Sequence, residues 1–293
     1  MVIQCQLRRF LELINFIKGS IVLCRLDKPI GIYLIFWPAL AAAVISTDVI
    51  SNLDVLAIIL IGSILVRSIG CVINDIFDKD IDNKVERTKS RPLASGQLTT
   101  LEGWIIFSIL AICILALLIQ TNLQTVIVSS IFGCMIILYP LMKRFFLGPQ
   151  LFLGITFNPI FIVHAITESI TLGSFIFFFA IFCWVVAYDT YYGLCDIEDD
   201  KKLGINSTPL WWKARTQNLI FGFQFLFVVS LYFVGNFYAF SSYWIFALMV
   251  ISLFFVYQSH LAKNNEYLSA FKNNNLVGMI LCLFLLFEIY FIQ

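Results

Sequence analysis

Charge is scarce in this chain. Of its 293 residues only 13% are Asp, Glu, Lys or Arg, while 60% are hydrophobic; a soluble domain carries about a quarter charged residues. That balance excludes a soluble enzyme or binding module and leaves a polytopic membrane protein. Histidine is nearly missing: His164 and His260 stand alone and far apart, and both are read as structural. No zinc-type spacing, Ser/His/Asp arrangement or glycine-rich phosphate loop is present. The eight cysteines (5, 24, 71, 113, 134, 183, 195, 282) form no CxxC pair and are expected to serve as buried small hydrophobes. A formal net charge of +1 points to no nucleic acid, and no segment implies an obligate protein partner. The first residues lack the apolar core of a secretory signal and the Arg- and Ser-rich, acid-poor make-up of an organellar transit peptide. Residues 7–20 are instead expected to lie at the membrane surface as an amphipathic helix within an interfacial segment, 1–24, with Leu7, Phe10, Leu11, Ile14 and Ile17 towards lipid.

Long apolar runs are what the chain has in abundance. A bilayer-spanning helix needs about 20 apolar residues. Nine candidates follow: 29–47, 54–74, 102–120, 123–141, 151–168, 171–191, 217–236, 239–258 and 275–292. The expectation is an all-α, polytopic membrane protein, a single domain over 1–293, with nine transmembrane helices around a central cytoplasm-facing cavity. Of the 19 Lys and Arg, 18 fall in the N-terminal segment or in alternate loops, and the remaining one, Arg67, lies inside the second span. By the positive-inside rule the N-terminus and those loops are cytoplasmic. Similar motifs after the second and sixth spans suggest two related halves plus an extra helix.

The few charges are concentrated. Asn74-Asp75-Ile76-Phe77-Asp78-Lys79-Asp80-Ile81-Asp82 holds four carboxylates directly after the second apolar run. Continued as helix at about 100° per residue, Asp75, Asp78 and Asp82 share a face and Asp80 points elsewhere. Three carboxylates on one stripe repel and call for a cation, and hard oxygen ligands suit Mg²⁺ with phosphate in its shell. About 115 residues later, Asp189, Asp196 and Asp200 fall at i, i+7 and i+11 after the sixth run. Two acidic walls at the same membrane face suggest a diphosphate clamp. A cation channel or carrier is the alternative from a different class, but it predicts charge spread through the membrane depth.

Bases accompany the acids. Lys84, Arg87, Lys89 and Arg91 follow the first motif, Arg25 and Lys28 precede the first span, and Lys143 and Arg144 end the fourth. Cations of this kind could share a diphosphate's charge or simply be interfacial loop residues. Arg67, seven and eight residues before Asn74 and Asp75, must face a cavity or a partner, because a bare Arg is costly in a bilayer. It is expected either to pair with Asp75 or Asp189 or to hold an anion deep in the site. Tyr188, Tyr191 and Tyr192 could be an interfacial belt or could stabilise a positive intermediate with their ring faces.

At these residues the chain resembles the UbiA superfamily of intramembrane prenyltransferases. Asn74, Asp75, Asp78 and Asp82 match its NDxxDxxxD motif, and Asp196 and Asp200 its DxxxD motif. Finer matches resemble the branch acting on 4-hydroxybenzoate: Arg25-Leu26-Asp27-Lys28-Pro29-Ile30-Gly31, Phe36-Trp37-Pro38, Arg67 to Asp75, Arg87-Thr88, Arg91 to Gly96, Tyr139 to Arg144 and Ala187 to Tyr192. The similarity runs from about residue 24 to 208. Two departures stand out: Ala94 where the family often has Pro, and Trp211-Trp212 where small residues usually start a helix.

The resemblance implies Mg²⁺ on Asp75, Asp78, Asp82, Asp196 and Asp200, and a polyprenyl diphosphate and 4-hydroxybenzoate as substrates in the lipid bilayer. It implies transfer of the prenyl group ortho to the hydroxyl, giving a ubiquinone precursor. Asp75, Asp78, Asp189, Asp196 and Arg67 would be catalytic. Arg25, Asn74, Lys143, Arg144, Tyr188, Arg87 and Arg91 would bind substrate. Arg25 or Arg67 would hold the acceptor's carboxylate, and Asp189 or Asp196 would take the phenol proton. A bacterial inner membrane is the expected location. Within the superfamily another acceptor, such as haem, a naphthoate or a chlorophyllide, is the alternative.

Overall fold

Apolar runs leave the backbone one way to satisfy its polar groups inside a bilayer, which is to form helices. The structure, a computed structural model, describes residues 2–292, and all the regular elements among them are helices. The elements are α1 (Val2–Leu23), α2 (Ile30–Ser46), α3 (Leu53–Phe77), α4 (Lys79–Asp82), α5 (Thr100–Leu118), α6 (Leu123–Phe145), α7 (Pro149–Thr156), α8 (Ile160–Ile166), α9 (Leu172–Leu194), α10 (Ile197–Leu203), α11 (Thr208–Trp212), α12 (Thr216–Phe237), α13 (Tyr243–Lys263) and α14 (Tyr267–Phe287), which runs on through a π turn to Ile292. Eight stretches among the described residues are long and apolar enough to cross a membrane, and α2, at 17 residues, is a ninth apolar helix. Caps mark several starts. Thr99 and Glu102 form a reciprocal capping box before α5, and Asn122 accepts from Thr125 N before α6 (2.8 Å).

The helices close into a ring: α2 packs on α3 and on α14, α6 on α3 and α7, α8 on α2, α9 on α7 and α12, and α13 on α12 and α14. Helix α9 is deeply enclosed. Its Trp184 is fully buried, donates to Asn274 Oδ1 (2.8 Å) and stacks on Phe227. By contrast α5 turns Leu101, Ile109, Ile112 and Leu115 outward, as lipid-facing surface requires.

Several boundaries differ from the sequence expectation, and the differences shape the site. Helix α3 stops at Phe77, with Asp78 as its C-cap, and α4 restarts as a single turn. Likewise α9 stops at Leu194, and Asp196 is the N-cap of α10. Neither acidic stretch is therefore a continuous helix. The fifth span is broken into α7 and α8 at Phe157-Asn158-Pro159, where proline withholds a backbone donor. The last two spans lie at 243–263 and 267–287, so Lys272 falls inside α14 rather than in a loop. In α1, Phe10, Leu11 and Ile17 are exposed as expected, but Ile14 is half-buried, Phe16 packs inward, and the side chain of Leu7 lies outside the described residues. Of the cysteines, Cys24, Cys71, Cys183 and Cys282 are buried, whereas Cys113, Cys134 and Cys195 are exposed; Cys5 lies outside the described side chains.

Candidate active site

At the end of the bundle where α3 and α9 finish lies a cavity of about 200 Å³. Its walls carry seven carboxylates, Asp75, Asp78, Asp82, Asp189, Asp196, Asp199 and Asp200, and six cations, Arg25, Arg67, Arg87, Arg91, Lys143 and Arg144. Asn74 also lines it. The turn at Asp78 brings Asp75, Asp78 and Asp82 inward together, all three buried, and leaves Asp80 exposed. The break after Leu194 sets Asp196 and Asp200 on the opposing wall. On α9, Asp189, Tyr192, Gly193 and Asp196 face the chamber at i, i+3, i+4 and i+7.

Each acid on the first wall is matched by a cation. Arg25 donates to both oxygens of Asp75 (2.8 and 2.9 Å), and Arg91 bridges Asp75 (3.1 Å) to Asp82 (2.7 Å). Lys143 reaches Asp78 (3.2 Å) and Asn74 Oδ1 (3.4 Å). Arg144 ties α6 to the end of α3 by donating to Phe77 O (2.9 Å). Arg87 crosses the mouth: its Nε donates to Asp196 (2.7 Å), a second nitrogen closes the pair, and a third donates to the Tyr192 hydroxyl (2.7 Å) with the guanidinium over that ring. Arg25 holds these contacts from a left-handed backbone, φ +57°, an uncommon conformation for a side-chain-bearing residue. Burial pushes the Asp82 carboxyl up against the pull of Arg91. Burial and then the neighbouring Asp196 raise Asp200 to about 6.

Two groups stand apart from these pairs. Arg67, deeper on α3, makes no ion pair among the described residues; its Nε is buried without a hydrogen-bond partner and its guanidinium lies 5.9 Å from the Phe157 ring centre. Neither salt bridge expected for it is present among the described residues; at Asp75 the place is taken by Arg25 and Arg91. It fits there because residue 31 on α2 is glycine: a Cβ would fall 2.2 Å from Arg67 Nε. Asp189 faces Lys143 and Arg67 and has no ion pair among the described residues.

All the expected site residues line the chamber except Tyr188. That ring is buried behind the wall, between Trp184 and Phe271, because it sits off the α9 stripe that faces the cavity. Sequence reasoning missed Tyr139, Gln150, Phe157 and Asp199 as wall residues. Tyr139 lies one helical turn before Lys143, and that spacing could have found it. Trp211 and Trp212 stay outside the chamber: Trp212 stacks on Phe223, and Trp211 covers Gly148.

The carboxylates could hold a divalent cation, although no three of the described His, Cys, Asp and Glu side chains are gathered closely enough to cage one as they stand. The donor set fits such an ion. Hard oxygens face each other across the chamber, and the wall is close to charge balance, so a diphosphate entering alone would leave the cavity strongly negative.

Beside the chamber lies a second cavity, about 470 Å³, walled almost entirely by apolar groups of α2, α3, α5, α6 and α8. Together they define an integral membrane protein shaped for a ligand with a polyanionic head and an apolar tail. The UbiA prenyltransferase family profile matches residues 35–286. The chain belongs to that family. It is 39% identical over 272 residues to a 4-hydroxybenzoate octaprenyltransferase of Histophilus somni (strain 129Pt), covering 91% of this chain and 95% of that one. It is 38% identical over 271 residues to the Francisella tularensis subsp. novicida (strain U112) protein of the same name, covering 90% and 95%. In fold it is similar to the apo structure of a UbiA homolog from Aeropyrum pernix K1, with a TM-score of 0.75 at 21% identity over 86% of this chain and 94% of that one. It is also similar to a UbiA homolog from Archaeoglobus fulgidus bound to GPP and Mg²⁺, with a TM-score of 0.70 at 14% identity over 92% and 99%.

Proposed function

We propose that this chain transfers a polyprenyl group from a polyprenyl diphosphate to the ring carbon ortho to the hydroxyl of 4-hydroxybenzoate, a step towards ubiquinone. The observation that carries this is a charged chamber lying beside an apolar cavity in one helix ring, in a chain that shares over a third of its residues with 4-hydroxybenzoate octaprenyltransferases along nine-tenths of its length. Asp75, Asp78 and Asp82 on one wall and Asp196 and Asp200 on the other would hold Mg²⁺, which when bound supplies charge neutralisation at the leaving diphosphate. Arg25, Arg87, Arg91, Lys143 and Arg144 surround the same space and share the developing negative charge. Asn74 helps place Lys143.

The pairing pattern divides the remaining roles. Arg25 is committed to Asp75 and Arg87 to Asp196. Arg67, with an unpartnered nitrogen, holds the acceptor's carboxylate, and Asp189 takes the proton released when the ring is substituted. The buried chamber keeps water from the allylic cation. The prenyl tail lies in the apolar cavity. The chain folds as a single domain, in a bacterial inner membrane with the chamber and N-terminus cytoplasmic, as its alternating basic loops favour.

The test uses membranes containing the protein, labelled 4-hydroxybenzoate and a long-chain prenyl diphosphate, with and without Mg²⁺. Mg²⁺-dependent transfer of label into lipid-soluble product is expected. Diphosphate release without labelled product would move the acceptor to another aromatic ring.

A further inference from the structure

Among the described residues, Phe157 alone lines both cavities. It sits at the break between α7 and α8, is 7% exposed, and is followed by Asn158-Pro159. Its ring stands edge-on to Tyr139 (6.4 Å between centres), with the Arg67 guanidinium 5.9 Å away. On α3 the ring's tip meets Gly70, where a Cβ would fall 2.9 Å from Cζ. An aromatic partition thus separates a charged head-group chamber from an apolar tail cavity. A donor occupying both must lay its chain across this ring, and the carbon nearest the diphosphate is then the one at the partition.

From this, and resting on the function proposed above, we infer that Phe157 is the donor-positioning ring of the transfer: it turns aside to admit the tail, then covers the carbon that ionises and decides what captures it. In that step the C1–O bond of the donor breaks and its electron pair leaves with the diphosphate. The allylic cation next to the ring face is either attacked by the acceptor's ring carbon, whose displaced proton passes to Asp189, or by water, which loses a proton and gives free prenol. An aromatic face both steadies the cation and occupies the space from which water would attack. The break at Asn158-Pro159 frees the ring from a continuous helix, and Gly70 gives it room.

The experiment measures, for wild type and for Phe157→Leu, Phe157→Ala and Phe157→Tyr, the ratio of prenol to prenylated benzoate from a long-chain prenyl diphosphate. Melting temperature and elution profile confirm folding, and Phe157→Leu, which keeps most of the volume, carries the test if the alanine variant unfolds. The expected result is a prenol fraction raised about 3- to 30-fold in the leucine and alanine variants, the factor a cation gains over an aromatic face, with Phe157→Tyr close to wild type. Independently, Gly70→Ala, which crowds the ring, is expected to slow long-chain donors more than dimethylallyl diphosphate. Wild-type ratios in both Phe157→Leu and Phe157→Ala would overturn the inference while leaving the proposed function intact. A wild-type protein that makes no prenylated benzoate would overturn the function, and the inference with it.

Discussion

Removing Arg91 tests whether the chamber's acids are held ready by cations that a metal can replace. Its guanidinium bridges Asp75 and Asp82, whose side chains are 2% and 8% exposed, while Arg91 itself is 18% exposed. In Arg91→Met, Asp75 keeps Arg25, but Asp82 is left buried with no cation among its described ion pairs. Stripping one partner from a buried pair costs about 3–5 kcal/mol, and the retained Arg25 contact places this case near 3. Two rescues are then expected in unfolding titrations of the detergent-solubilised protein. Adding Asp82→Asn removes the stranded charge and recovers most of the loss, so the two changes couple by about 2 kcal/mol in a double-mutant cycle. Saturating Mg²⁺ narrows the gap between Arg91→Met and wild type, because a divalent ion on Asp75 and Asp82 does electrostatically what Arg91 did. Strictly additive losses, or a gap that Mg²⁺ leaves unchanged, would refute the reasoning that cation and metal exchange on the same carboxylates.

Three further expectations follow from the same geometry. Asp75→Ala or Asp196→Ala is expected to lower kcat at least about 10²-fold, the scale of losing a principal charge-stabilising group, while membrane insertion is retained; a variant of normal activity would sink the clamp assignment. Asp200 has a folded pKa of about 6 against an ordinary value of 3.8, so the folded state binds the extra proton and loses stability as pH rises from about 4 to 6. The metal-free Asp200→Asn protein should therefore melt above wild type at pH 7.5 and at the same temperature near pH 4, and a difference that persists at low pH would show another cause. Gly31→Ala places a methyl where Arg67 Nε now lies, at 2.2 Å, and is expected to raise the KM for 4-hydroxybenzoate well before that for the prenyl donor; an equal rise in both would argue against Arg67 as the acceptor's anchor.

How much of this was legible in the sequence depended on contrast. In a chain so poor in charge, clustered acids and bases at helix ends stand out, and every charged residue assigned to the site lines one cavity, whereas Asp80, Lys84 and Lys89 of the same stretch are exposed. The supporting geometry was another matter. A helical wheel put Asp75, Asp78 and Asp82 on one face, and they do converge, but because the chain turns at Asp78. A wheel also cannot tell which side of α9 meets the cavity and which meets α14, and so Tyr188 was misplaced while Tyr192, four residues on, faces the mouth. The Asn-Pro pair that splits α7 from α8 lies inside an apolar run of spanning length, and run length alone does not register the break.

The broken fifth span shows what the turns are for. A straight helix through 149–166 would carry its hydrogen-bond ladder on past position 157. Ending α7 at Thr156 leaves Phe157 as its C-cap, the last N–H on the ladder (to Leu153 O, 2.9 Å), at the depth where charged chamber meets apolar cavity, with Asn158 anchoring the break to α9 through Phe178 O (2.8 Å). The acidic stretches follow the same logic, since continuous helices would carry Asp82 and Asp200 along the axes of α3 and α9 and away from the cavity. Turning at Asp78 and at Cys195 folds those carboxylates back over it. Each irregularity lies where backbone without a helical ladder can be satisfied by neighbouring protein or by the aqueous end of the bundle, which is where a bilayer tolerates it. A membrane-embedded transferase thus turns its chain at three points, two of which bring carboxylates over the chamber and one an aromatic ring to its edge.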